Sequence, residues 1–194
     1  PIVDAPGTYA LLVINTANGC TATDVVQIFE DVNTPQANAG PPATLTCAIQ
    51  QTTLNATAST GTNFTYSWTA TNGGNILSGP NTLNPTVNES GTYTLTVNNL
   101  ANGCVATSEV TVDENVAPPP VGADPPATLT CTVTSTNLAG LPASGNYIWL
   151  WQTSNGNIVS GANTSNPLID EPGSYTLVVI DQQNGCSATA FSIV

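Results

Sequence analysis

The chain has 194 residues, of which 12 are Asp or Glu, and it contains no Lys, Arg or His. A formal net charge of −12 argues against nucleic-acid binding, because neutralising phosphates requires Lys or Arg. The composition also excludes serine–histidine triads, lysine Schiff bases, histidine metal sites and P-loops. Paired carboxylates are the only acid–base chemistry left, and the acids fall at predicted turns, so we expect no enzyme. No apolar run is long enough to insert into a membrane as a helix.

One motif occurs three times, at residues 7–20, 91–104 and 173–186. In the middle copy Tyr93, Leu95 and Val97 alternate with threonines, which predicts a β-strand with one buried side. The Asn-Gly pair that follows predicts a tight turn, and a cysteine opens the next strand. The distance between copies fits one small β-domain for each repeat.

Taken in order, the chain divides into residues 1–34, 35–116 and 117–194. The first segment contains two strands and is expected to be the C-terminal part of a truncated domain. Each of the other two contains about seven short strands separated by turn residues, which is typical of an immunoglobulin-like sandwich. No segment shows a helical period of 3.6 residues. The predicted fold class is therefore all-β, with tandem immunoglobulin-like antiparallel β-sandwich domains.

The cysteines recur at the same places in the repeats. Cys47 and Cys104 fall in one repeat and Cys131 and Cys186 in the next, which predicts one disulfide inside each domain. Cys20 stands alone, either because its partner belongs to a missing first strand or because it is a free or interchain thiol. Disulfide-bonded small domains indicate an extracellular or cell-surface location.

Three features carry a resemblance to a known family: the Ala-x-Pro-Pro opening with Leu-Thr-Cys, Tyr-x-Trp on a central strand, and Gly-Thr/Ser-Tyr-x-Leu-x-Val leading to Asn-Gly-Cys. With these features the repeats resemble the PKD-type, immunoglobulin-like domains of large bacterial surface proteins. Gliding-motility adhesins exported by the type IX system are the nearest comparison. The resemblance implies a sandwich fold and a surface location, and it implies no particular ligand.

Acidic residues are expected to gather where one domain meets the next. The candidates are Asp4, Glu30 and Asp31 at the first junction and Glu89, Asp113, Glu114 and Asp124 at the second. Oxygen ligands at a junction suit Ca²⁺, which takes six to eight of them. The alternative is an acidic surface that only keeps the protein soluble. No other cofactor is expected.

The tryptophans suggest a core position and a candidate ligand site. Trp149 is aligned with Trp68, and both are expected to pack in the core beside the disulfides. Trp151 then has no counterpart in the middle repeat, so it is either a further packing residue or a platform on which a sugar could stack.

The outer face of the last repeat is predicted to be apolar where the middle repeat is polar. The residues are Ile148, Leu150, Val178, Ile180, Phe191 and Ile193. Such a face predicts self-association or packing on neighbouring domains. The leading hypothesis is thus a structural segment of a secreted bacterial rod or filament. The alternatives are a carbohydrate- or host-binding adhesin module and an accessory domain of a secreted enzyme.

Overall fold

A computed structural model describes residues 1–123 and 128–194, and this part of the chain consists of β-strands, bends and turns with no α-helix. The predicted all-β, tandem immunoglobulin-like fold is confirmed. Within the described ranges no helix has the length and apolarity needed to cross a membrane. The strands are β1 (Gly7–Ile14), β2 (Thr21–Ile28), β3 (Ala37–Asn38), β4 (Ala43–Thr46), β5 (Thr52–Thr53), β6 (Thr57–Ala58), β7 (Phe64–Thr71), β8 (Ile76–Ser78), β9 (Thr86–Val87), β10 (Gly91–Asn99), β11 (Val105–Asn115), β12 (Gly122–Ala123), β13 (Thr136–Asn137), β14 (Gly140–Leu141), β15 (Tyr147–Thr153), β16 (Ile158–Ser160), β17 (Leu168–Ile169), β18 (Ser174–Asp181) and β19 (Ser187–Ile193).

Strands β1 and β2 form an antiparallel hairpin that runs from the pair Gly7↔Ile28 to the pair Ile14↔Thr21. The Asn-Gly turn between them puts Gly19 at a positive φ of 76°, which glycine adopts without a steric penalty. Apart from half-buried Tyr9, every residue of the two strands is exposed. We call this pair the first hairpin.

Strands β3 to β11 form the middle module. One sheet has the order β4-β11-β10-β7, and strands β5-β9-β8 and β3-β6 lie on the other side of the core. All pairs in the larger sheet are antiparallel except β4 with β11, which are parallel. The alternation along β10 places Tyr93, Leu95 and Val97 fully inside. They pack with Trp68 and Val87 in one hydrophobic core.

Strands β12 to β19 form the last module, which repeats this arrangement except that its described residues include no counterpart of β4. Its sheet β15-β18-β19 corresponds to β7-β10-β11, and β13-β17-β16 corresponds to β5-β9-β8. A separate core contains Trp151, Ile169, Tyr175 and Leu177. Each module therefore has its own hydrophobic core, and the boundaries predicted at 34/35 and 116/117 stay predictions.

The repeated tyrosine stabilises the corner before its strand in every copy. The hydroxyls of Tyr9, Tyr93 and Tyr175 each donate a hydrogen bond to a backbone carbonyl four residues upstream. The acceptors are the carbonyls of Ala5 (2.8 Å), Glu89 (2.6 Å) and Glu171 (2.6 Å). This tyrosine corner is a hallmark of immunoglobulin-like sandwiches. The sequence pattern indicates the buried ring, and only the structure reveals the role of the hydroxyl.

The predicted alignment of Trp149 with Trp68 is wrong by two residues. Trp68 lies opposite Leu95, and Trp151 lies opposite Leu177, which is the equivalent of Leu95. Trp151 is therefore the core tryptophan of the last module, and only 2% of it is exposed. A shift of two residues leaves each side chain on the same face, so the alternation of the sequence could not reveal it. The burial also excludes a sugar-stacking role for Trp151.

Candidate interface sites

The disulfide of the structure joins two modules instead of closing one. Cys47 of the middle module is bonded to Cys186 of the last module, with their Cα atoms 5.0 Å apart. Cys104 and Cys131 are free. The predicted bonds Cys47–Cys104 and Cys131–Cys186 are both wrong.

The strand geometry explains why an internal bond does not form in the middle module. Cys47 follows β4, whose last residue Thr46 pairs with Asn115 at the end of β11. Cys104 directly precedes the start of β11. A strand of 11 residues separates the two ends of the module by roughly 30 Å, whereas a disulfide requires Cα atoms about 5.5 Å apart. Cys47 and Cys104 therefore lie at opposite ends, or poles, of the middle module.

We call the region where the middle and last modules meet the second junction. Asn184, in the Asn-Gly-Cys turn of the last module, is buried and donates from Nδ2 to Oδ1 of Asn115 at 3.1 Å and to the carbonyl of Ala117 at 2.9 Å. The backbone N–H of Ala48 donates to the carbonyl of Asn184 at 3.2 Å. A Cβ added to Gly185 would lie 2.6 Å from the Cβ of Ala48, so the turn packs closely on the middle module. Hydrogen bonds, packing and a covalent bond thus coincide here.

The first junction, where the first hairpin meets the middle module, repeats half of this geometry. Asn102, the counterpart of Asn184, donates from Nδ2 to the carbonyl of Asn33 at 3.0 Å. Asn33 occupies the place that Ala117 has at the second junction. The Asn-Gly-Cys turns of the middle and last modules therefore each hold the linker that precedes their own module.

Asp31 of the first junction occupies the place that Asn115 has at the second junction. Oδ1 accepts from the backbone N–H of Asn33 at 3.1 Å and from its side-chain Nδ2 at 2.8 Å. These hydrogen bonds, with the backbone one largest, and a further one from the Asn102 side chain lower the pKa of the Asp31 carboxyl below its usual value of 3.8. The carboxylate is thus a hydrogen-bond acceptor that links the hairpin to the turn of the next module.

The three unbonded cysteines differ in exposure. Cys20 and Cys131 are exposed, and Cys104 is half-buried. Cys131 lies in a turn with the same hydrogen bonds as that of Cys47. The N–H of Thr130 donates to the carbonyl of Val133 at 2.8 Å, as Thr46 does to Ile49 at 2.9 Å.

The acidic candidates for Ca²⁺ are only partly brought together. Glu89 and Glu114 line one cavity with Cys47 near the second junction. Asp113 is adjacent to Glu114 on β11 and so points to the opposite face of the sheet. Asp4, Glu30 and Asp31 are exposed, and Asp124 lies outside the described residues. In the described part of the chain no three acidic or cysteine side chains are grouped to hold a metal ion, and Ca²⁺ binding stays a prediction.

The apolar residues predicted for the outer face of the last module do share one face. Ile148 lies opposite Ile180, and Leu150 opposite Val178, on the side of the sheet away from Leu177. On β19, Phe191 and Ile193 are 73% and 57% exposed. We call these six residues the outer apolar face. In the middle module the corresponding side carries Thr65, Ser67, Thr69 and Glu109, so the difference between modules is one of chemistry and not of fold.

Comparison with known proteins gives a distant likeness. No family model matches the chain. It is 30% identical over 213 residues to the mouse dyslexia-associated protein KIAA0319-like protein, and the match covers 96% of this chain and 20% of the relative. An I-band fragment of titin has a TM-score of 0.43 at 14% identity, covering 84% of this chain and 65% of the fragment. Sidekick-1 immunoglobulin domains 1–5 give a TM-score of 0.39 at 13% identity, covering 97% and 46%. The chain thus spans about a fifth of the curated relative.

Proposed function

We propose that this chain is a structural segment of a secreted cell-surface protein, in which immunoglobulin-like modules form a rod or filament. Tandem sandwiches that carry a disulfide indicate a structural or adhesion-type extracellular module. The resemblance of the repeats to PKD-type domains supports a bacterial surface protein. The match to a mouse protein means that similar sequence is not confined to bacteria.

The observation that carries the proposal is the second junction. A flexible string of domains needs only a linker, whereas this junction adds the Cys47–Cys186 bond and the buried Asn184 contacts between two modules. These links oppose bending and pulling apart, which is what a load-bearing rod requires. The same asparagine contact at the first junction supports a repeated geometry along the rod.

The outer apolar face supports lateral packing of such rods. Phe191, 73% exposed, and Ile148, 47% exposed, would leave water if the face were covered by another module or a second copy. Covering apolar surface stabilises an interface by about 25 cal/mol per Å². The carbohydrate-binding alternative loses its candidate stacking residue, because Trp151 is in the core.

The test is a double substitution on this face. Leu150→Asp with Phe191→Asp is expected to abolish assembly, measured by analytical ultracentrifugation and electron microscopy of the purified protein. Circular dichroism should show that the modules remain folded, because both side chains point away from the core.

The matched control places the same charges on the polar face of the middle module. Thr65→Asp with Ser67→Asp changes exposed positions of β7 and should leave assembly intact. If the Leu150/Phe191 variant assembled as the wild type does, the proposed lateral packing would be wrong. If both variants lost assembly equally, the added charge and not the face would be responsible.

A further inference from the structure

Two of the three unbonded cysteines, Cys104 and Cys131, occupy the same places in their repeats as the bonded cysteines do in the neighbouring repeat. In the structure a Leu-Thr-Cys turn, with Cys47, is joined to the Asn-Gly-Cys turn of the next module, with Cys186. Cys104 belongs to an Asn-Gly-Cys turn, and Cys131 to a Leu-Thr-Cys turn. Each is therefore one half of the bond that the second junction shows complete.

We propose that Cys104 and Cys131 form the same intermodule disulfide with repeats that lie next to these modules. Cys104 would bond to the Leu-Thr-Cys turn of the preceding repeat. Cys131 would bond to the Asn-Gly-Cys turn of the following repeat. The first junction and the junction that follows the last module are then closed covalently, as the second junction is. The inference rests on the proposed rod in one respect, the presence of neighbouring repeats of the same kind.

The geometry at the first junction supports the assignment of Cys104. Asn102 already makes the contact with the preceding linker that Asn184 makes at the second junction. Gly185 packs against Ala48 beside the bonded Cys47, whereas a Cβ added to Gly103 would meet nothing within 4 Å. The first junction thus has open space where the second has a Leu-Thr-Cys turn.

The exposed inner face of the first hairpin also supports a neighbouring repeat at this junction. In the middle module the Leu-Thr-Cys turn belongs to the same sandwich as β10 and β11, whose inner residues are buried. The equivalent inner residues of the first hairpin include Leu11, 61% exposed, and Val26, 56% exposed. A repeat segment that covered this face would carry its own Leu-Thr-Cys turn to the pole where Cys104 lies. A neighbouring repeat packed on this face would therefore account for both the open apolar face and the unpaired Cys104.

Cys131 lies in a turn with the same hydrogen bonds as the turn of bonded Cys47. Thr130 and Val133 close the turn by the backbone hydrogen bond found between Thr46 and Ile49. The hydroxyl of Thr130 also accepts from the N–H of Val133 at 3.0 Å, as that of Thr46 does from Ile49. The exposed thiol thus lies in a turn closed by the same two hydrogen bonds as the turn of bonded Cys47.

The chemistry is thiol–disulfide exchange with a low-molecular-weight disulfide as the oxidant. One cysteine thiolate attacks that disulfide and releases a first small thiol, leaving a mixed disulfide. The second cysteine then attacks the protein sulfur and releases the second small thiol. Two cysteine sulfurs are oxidised, two sulfurs of the reagent are reduced, and the cysteine protons end on the released thiols.

The experiment is peptide mapping of the native, full-length protein isolated without reductant and alkylated at once. Cleavage after aspartate and glutamate places each of the five cysteines on a separate peptide, which trypsin could not do in this chain. We expect Cys104 bonded to a Leu-Thr-Cys peptide and Cys131 bonded to an Asn-Gly-Cys peptide, in each case from a neighbouring repeat or a second copy and not from each other within one chain. The Cys47–Cys186 pair is the internal reference. If the molecular mass of the native protein fell on reduction, these disulfides would join separate copies. If the mass did not change, they would lie within one polypeptide. Both results support the proposed disulfides.

Alkylated Cys104 or Cys131 would overturn the proposal, and so would a bond between the two within one chain. A Cys104→Ser variant adds a second test, because one Leu-Thr-Cys peptide should then become alkylated, as the Cys47 peptide should in the matched Cys186→Ser variant. Electron microscopy of the same samples distinguishes failure of the proposed disulfides from failure of the proposed rod. If rods formed while Cys104 stayed free, the proposed function would stand and only the proposed disulfides of Cys104 and Cys131 would be wrong.

Discussion

Strands β1–β2 and β10–β11 are two copies of one strand pair in different surroundings. Both pairs have the same register, with Gly7 opposite Ile28 in one and Gly91 opposite Val112 in the other. Leu95 of the second pair is completely buried, whereas its equivalent Leu11 is 61% exposed. Pairing is therefore specified within the hairpin, and burial depends on a second sheet, which the middle module has and the first hairpin lacks. The two junctions differ in the same way, because the second has both halves of its disulfide.

The largest effect is expected from removing that disulfide. A Cys47→Ser/Cys186→Ser variant should make the second junction resemble the first. The bonded cysteines are 139 residues apart, and closing such a loop stabilises the folded chain by about 5 kcal/mol in the chain-entropy model. Thermal and denaturant unfolding of the oxidised chain should show a loss of up to that size.

Cys20→Ser is the control for this change. It removes an exposed, unbonded cysteine and should alter stability by less than about 0.5 kcal/mol. If the double variant were no less stable than this control, the bond would not couple the modules.

A second prediction tests the difference in burial directly. Leu95→Ala removes a fully buried side chain from the middle core and should cost about 3 kcal/mol in the free energy of unfolding. Leu11→Ala makes the same change at the equivalent, exposed position and should cost less than about 0.5 kcal/mol. Chemical denaturation of the 194-residue chain measures both. Equal losses would mean that the first hairpin is covered in solution.

A third prediction concerns the tyrosine corner. Tyr93→Phe removes a hydroxyl that donates to the carbonyl of Glu89 at 2.6 Å and accepts from the N–H of Asn75 at 3.0 Å, at a cost of about 1–2 kcal/mol. Tyr9→Phe removes the equivalent, exposed hydrogen bond to Ala5 and should cost less. Equal losses of stability in the two variants would show that the tyrosine corner stabilises its turn independently of the core.

The same residue makes a prediction about alkaline pH. Burial raises the pKa of the Tyr93 phenol above its usual value of 10.0, outweighing the hydrogen bonds that lower it. The folded state therefore holds the proton more tightly than the unfolded state. This contribution is complete below pH 10.0 and is lost as the pH rises through the folded pKa. Tyr93→Phe should remove this part of the pH dependence of unfolding, and Tyr9→Phe should not.

The sequence specifies the strands better than the contacts between modules. Alternation and turn residues predict β10, β11 and their copies, because pairing and one-sided burial follow a period of two. The apolar outer face was predictable for the same reason. The pairing of the cysteines was not predictable. Cys104 and Cys186 occupy the same place in successive repeats, so the repeat spacing fits a bond from Cys47 to either one. Only the structure, which shows at which end of a module each strand places its cysteine, decides between the two bonds.

The smallest expected effect tests whether the two junctions share one geometry. Asn102→Ala removes one of the hydrogen bonds that lower the pKa of Asp31, so this pKa should rise toward 3.8 in a carboxyl titration followed by NMR. The rise should be partial, because the hydrogen bonds from Asn33 remain. Since the folded pKa is lowered, the carboxylate stabilises the fold above the usual pKa and loses that contribution as the pH falls through the folded value. Asn184→Ala makes the equivalent change at the second junction, where Asn115 replaces the acid, and should leave the Asp31 titration unchanged. An Asp31 pKa that did not respond to Asn102→Ala would mean that the turn does not hold the preceding hairpin, and the two junctions would then be different structures.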